Sequence, residues 1–125
     1  MALPTEPGAY VPDNTPVIIG VGQFSERVGE PGYAALSYMD LAGRALTGAI
    51  ADTEAIGAAS GPEKQKSVAG AIDTLAAIRA FEMSRPDRKP PFGAPDNVPH
   101  AIASRLGANP ARAILTTTGG QTNQQ

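Results

Sequence analysis

The sequence has no cysteine, no tryptophan and a single histidine, His100. Without thiols, disulfides, thiolate metal sites and a cysteine nucleophile are excluded from these 125 residues. One imidazole leaves no histidine pair for zinc, so no metal site is expected. Charge is also scarce. A charged fraction of 18% and a net charge of −2 give no electrostatic pull toward nucleic acid or an anionic membrane. No apolar run approaches the ~20 residues that cross a bilayer. The start, Met1-Ala2-Leu3-Pro4-Thr5-Glu6, lacks the basic and apolar regions of a signal peptide. A cytoplasmic location is therefore expected, with neither nucleic acid nor membrane as partner.

What is present is ordinary for a globular domain. The hydrophobic fraction is 42%, and a chain of 125 residues reads as one domain. Such a chain buries roughly two thirds of its unfolded surface. Glycine (14) and proline (12) are abundant, and the prolines lie mostly in two segments, so linkers explain much of the excess. The first is residues 1–14, an irregular arm. The second is the loop from Glu82 to Pro95.

Between these segments the chain alternates. Val17 to Val21 is a continuous β-branched run, expected as a strand buried on both faces. Gly20 and Gly22 within it suggest close backbone approach. They do not make a dinucleotide fingerprint, because Ser25 stands where a third glycine would be needed. Phe24 to Tyr33 reads as a loop. Ser37-Tyr38-Met39-Asp40 resembles a capping box with Asp in place of Glu. It opens a helix to about Ala51, with Tyr38, Leu41, Ala42, Ala45, Leu46, Ala49 and Ile50 forming one apolar stripe. Gly43 and Gly48 weaken this helix and would let something pack closely. Thr53 to Gln65 reads as a connection with room for a helical turn. Val68 to Phe81 fits helix and strand periodicity alike, and the α/β rhythm favours a strand at about Ile72 to Ala80. Asn97 is a good N-cap and Pro99 suits a first turn, so a second helix runs to Leu106 and ends at Gly107. The expected order is β-α-β-α-β with three parallel strands.

The last strand, expected as a buried run from Ala113 to Thr118, organises the functional reading. It ends in Gly119-Gly120, followed by Gln121 and Thr122. In open α/β sheets ligands bind at the carboxyl ends of strands. The two glycine peptides could hold an anion or oxyanion, or they could simply turn the chain. On the first of these readings, Gly119, Gly120, Gln121 and Thr122 are the expected substrate contacts. A strand that should lead into a helix stops at Gln125, so the chain reads as one piece of a larger protein. His100, in a first helical turn, reads as a surface or capping residue. Arg85, Arg88 and Lys89 could meet phosphates, although a basic loop between prolines is usually only solvated.

Three stretches carry a family resemblance. Thr15-Pro16-Val17-Ile18-Ile19-Gly20-Val21-Gly22-Gln23 resembles the first strand of the thiolase superfamily, in particular acetyl-CoA acetyltransferases of its thiolase-like branch. Residues 97–108, beginning Asn97-Val98-Pro99-His100, resemble the helix before the family's nucleophile strand. Thr116-Thr117-Thr118-Gly119-Gly120-Gln121-Thr122-Asn123 resembles the strand end and nucleophile loop. The resemblance implies a five-layered αβαβα fold, of which residues 15–125 would be the opening part of the first half. It implies an acyltransferase of lipid metabolism whose substrate is an acyl-CoA. No cofactor would be bound, with coenzyme A entering as part of the substrate. Association with the rest of the fold, with a second chain or as a homo-oligomer would follow.

The departure from the pattern falls at the nucleophile. Where the family presents Cys-x-x-Gly, this chain has Thr118 or Gly119, depending on alignment. Thr118 is a weak candidate nucleophile, since no base is visible beside it. Two readings stand: the opening segment of an acyltransferase, inactive by itself, or a non-catalytic acyl-CoA-binding or subunit-association module. A small α/β domain without chemistry is the blander third.

Overall fold

The structure, a computed structural model, describes residues 10–53, 61–80, 87, 89, 93 and 95–116. In chain order it contains α1 (Tyr38–Asp52), α2 (Pro62–Ala71), β1 (Thr74–Ile78), α3 (Val98–Leu106) and β2 (Arg112–Thr116). β1 and β2 form a parallel two-stranded sheet in the register Thr74↔Arg112 to Ile78↔Thr116. This is the small α/β fold expected, with α3 as the crossover between its strands.

Local chemistry explains the helix ends. Ser37 caps α1 by accepting from the Asp40 N–H at 3.2 Å, and its hydroxyl donates to Asp40 Oδ2 at 2.6 Å. The Asp thus serves the capping box in place of Glu. Asn97 caps α3 by accepting from the His100 N–H at 3.0 Å. Gly107, at φ 70, closes that helix, while the Ala108 N–H returns to the Ala103 carbonyl at 3.0 Å. This left-handed closure is the helix stop that glycine supplies without a Cβ penalty.

The core lies between α1, α3 and the inner face of β1. Val98 is fully buried, and Ile102, Ala103, Leu106, Met39, Ile50, Leu75 and Ala77 join it. β1 alternates as a half-buried strand should, with Leu75 and Ala77 inward and Thr74, Ala76 and Ile78 outward. Burying an Ile or Leu of this kind stabilises by roughly 1.5–3 kcal/mol.

Three expectations are corrected. First, Val17 to Val21 belongs to no strand among the described residues, and its side chains are not buried: Val17 is 69% exposed, Ile18 86%, Ile19 63% and Val21 66%. The stretch lies on α1 instead. The Val21 N–H donates to Asp52 Oδ2 at 2.9 Å. A Cβ on Gly20 would strike the Ala49 carbonyl oxygen, and one on Gly22 the Ala45 carbonyl oxygen. The close approach read from these glycines is therefore real, and its partner is a helix backbone.

Second, β2 runs over Arg112–Thr116 and is mostly exposed, with Ile114 and Leu115 each 40% accessible. It pairs through β1 alone, and no described element covers its outer side.

Third, a helix, α2 (Pro62–Ala71), stands where a connection from Thr53 to Gln65 and the start of the ambiguous Val68 to Phe81 run were expected, while the strand expected at about Ile72 to Ala80 is present as β1 (Thr74–Ile78). Gly61 at φ 61 and Pro62 in the first turn start α2. It buries only Ala69, so hydrophobic periodicity could not reveal it. Polar side chains help to fix it. Lys64 Nζ donates to the Ala51 carbonyl at 2.9 Å, and Gln65 Nε2 to the Leu106 carbonyl at 3.2 Å, so its first turn satisfies the ends of both other helices.

Candidate functional site

Parallel pairing places the carboxyl ends of β1 and β2 side by side, with Ile78 opposite Thr116. In an open α/β sheet this is the edge where ligands bind. The site residues expected from the sequence, Thr118, Gly119, Gly120, Gln121 and Thr122, come next in the chain and lie outside the described residues. Arg85 and Arg88 lie outside them too, while Lys89 is exposed. His100 is an exposed residue of the first turn of α3, as the surface reading expects, and only its backbone N–H meets the cap, which is Asn97. Gly20 and Gly22 are packing residues, as the preceding contacts show.

A second polar locus, not anticipated from the sequence, joins α1 to α3. Arg105 Nε donates to Asp40 Oδ1 at 2.5 Å, and Arg105 Nη1 donates to the Ala101 carbonyl at 2.6 Å. The arginine stem lies over Gly43, where an added Cβ would come within 3.1 Å of Arg105 Cδ. Gly43 thus lets something pack closely, as read from the sequence, and the partner is this side chain. The Asp40 carboxyl is held below its ordinary value, first by the Ser37 hydroxyl and then by Arg105. Beside them Leu36, Asp40, Gly43, Arg44, Thr47 and Arg105 line a groove of about 210 Å³. The Arg44 guanidinium sits over the Phe24 ring at 5.1 Å from its centroid.

The loop that delivers Phe24 is itself ordered by a charge. Glu26 Oε1 accepts from the Ala34 N–H and Oε2 from the Leu36 N–H, both at 2.9 Å. Ala35, between those two donors, is left-handed at φ 51. This is a backbone nest filled by an internal carboxylate. Sequence reasoning placed Asp40 in a capping box and Gly43 in close packing, but missed Arg105 as the partner of both, because it lies 65 residues from Asp40 in the chain.

The described fold is that of an α/β protein whose helices and parallel strands follow the pattern of thiolase-like proteins. Among solved structures it is similar to a monomeric SCP2-thiolase-like protein type 1 from Mycobacterium smegmatis, at 34% sequence identity and a TM-score of 0.58. The match covers 86% of this chain and 17% of that chain. The sequence resemblance and the structural match agree on the thiolase-like superfamily, and do not single out acetyl-CoA acetyltransferases within it. No family model matches the chain, and no curated protein matches it significantly. Among the described residues no helix is long and apolar enough to cross a membrane.

Proposed function

We propose that this chain forms the opening βα units of a thiolase-like protein that handles acyl-CoA, and that it carries no acyl-transfer activity by itself. The observation behind this reading is the match to the mycobacterial thiolase-like structure over 86% of the chain at 34% identity. The inactivity follows from the residues. With no cysteine there is no thiol to carry an acyl thioester. Thr118 is the candidate at the nucleophile's position, and the sequence places no recognisable base beside it. In this reading Gly119, Gly120, Gln121 and Thr122 approach the thioester end of the substrate, and coenzyme A enters only as part of that substrate.

The exposed faces of Val17–Val21 and β2 fit coverage by further polypeptide of the same fold. The similar mycobacterial protein is described as monomeric, which favours such cover over self-association. The missing thiol also supports the second reading, a non-catalytic acyl-CoA-binding or association module.

The test is a thiolysis assay that follows loss of the acetoacetyl-CoA enolate with free CoA present. No turnover above background is expected from the 125-residue chain. Turnover that disappears in Thr118→Ala would overturn the inactivity and make Thr118 a nucleophile. Binding of acetoacetyl-CoA without turnover would support the module. Absence of both binding and turnover would confine the chain to a structural part.

A further inference from the structure

The groove between α1 and α3 has the composition of a small anion site, and we infer that it binds a phosphate group between Arg44 and Arg105. Each arginine is held by a separate device. Arg105 is pinned by Asp40 through Nε and by the Ala101 carbonyl through Nη1. Its stem is seated by the absence of a Cβ at Gly43. Arg44 is placed by the Phe24 ring, on a loop that Glu26 ties down through two backbone N–H groups. Side chains held in this way lose less freedom when a ligand arrives.

The charge balance favours an anion. Asp40 is committed to Ser37 and Arg105, and its charge offsets that of Arg105. Arg44 has no carboxylate partner among the described residues, so its charge is left over. The groove, at about 210 Å³, is roomy enough for a phosphate group and has an open mouth for a larger molecule attached to it. Guanidinium groups suit this ligand because their planar forks match phosphate oxygens. The Thr47 hydroxyl, which donates to the Gly43 carbonyl at 2.9 Å, adds a polar wall. This inference stands apart from the acyl-CoA reading, because it rests on no residue beyond β2.

The experiment is isothermal titration of the full 125-residue chain with inorganic phosphate at low ionic strength. Parallel titrations use adenosine 3′,5′-bisphosphate and the variants R44Q and K66Q. Arg44 and Lys66 are both exposed, so neither change should disturb folding, and each removes one positive charge. Saturable binding of one phosphate is expected, weakened about tenfold in R44Q by loss of a charge-assisted contact and nearly unchanged in K66Q. F24L, which keeps the charge but removes the ring, should fall between wild type and R44Q. Tighter binding of the bisphosphate than of phosphate would assign a nucleotide-borne phosphate, and equal binding would assign the free ion. Equal weakening in R44Q and K66Q, or no saturable binding at all, would overturn the site.

Discussion

Val17–Val21 and β1 are both short apolar runs, and they are used in opposite ways. β1 alternates, buries Leu75 and Ala77, and pairs with β2. Val17–Val21 is more apolar and more β-branched, yet it joins no sheet and leaves its side chains in solvent. The difference lies in the two glycines. They let the backbone press on α1, where main-chain packing and the Val21–Asp52 hydrogen bond hold the segment. An apolar run thus shows that a segment is suited to burial. What covers it depends on elements elsewhere in the fold.

The largest test compares one residue type in the two environments. Ile102→Ala should cost about 2–5 kcal/mol, because Ile102 is in the core between Val98 and Leu106. Ile18→Ala should change stability by no more than about 0.5 kcal/mol, since the side chain is 86% exposed. Urea denaturation of both variants gives the contrast. A cost at Ile18 near that at Ile102 would mean that the run is buried after all.

Next comes the glycine contact. Gly22→Ala places a methyl group against the Ala45 carbonyl and the Ala49 N–H of α1. Neither backbone atom can yield cheaply. The loss should be about 1–3 kcal/mol, the usual range for overpacking. Hydrogen exchange adds a local measure. The Val21 amide, bonded to Asp52, should lose protection in Gly22→Ala, whereas the amides of β2 should keep theirs. Unchanged protection at Val21 would separate the segment from α1.

Much of the fold was legible because local chemistry decided it. Ser37 and Asn97 mark helix starts, and Gly107 marks a stop, through hydrogen bonds that reach only a few residues. The parallel arrangement of the last two strands followed from the spacing of strand, helix and strand. Legibility ended where partners are distant or weakly apolar. α2 escaped because its docking rests on Lys64 and Gln65 reaching carbonyls of other helices. The exposure of Ile114 and Leu115 was hidden because a β-branched run reads alike in the middle or at the rim of a sheet. At the candidate site, the sequence named Thr118 to Thr122 but not Arg44, Asp40 and Arg105, which come together only when α1 packs on α3.

A smaller effect probes that packing. Asn97→Ala removes the acceptor for the His100 N–H and should cost about 1 kcal/mol. Asn97→Gly should cost only a few tenths, since glycine also suits a cap. A large loss in both would point to a tertiary role for Asn97 rather than a cap.

The smallest effect is electrostatic and depends on pH. The Asp40 carboxyl lies below its ordinary value of 3.8 because the Ser37 hydroxyl, then Arg105, favour its charged form. A folded-state pKa below the unfolded one means that the unfolded chain binds the proton more readily. The contribution is therefore complete above the unfolded value of 3.8 and fades as pH falls through the lower folded value. Solvent reaches the pair, with side-chain exposures of 34% for Arg105 and 39% for Asp40, so the effect is small and screened by salt. Thermal midpoints of wild type and Asp40→Asn should differ at neutral pH and converge at strongly acidic pH. Added salt should narrow the neutral-pH gap but not abolish it, because the Ser37 hydrogen bond is short-ranged and survives screening. A gap that stays constant from neutral to acidic pH would show that Asp40 acts through the shape of the cap and not through its charge.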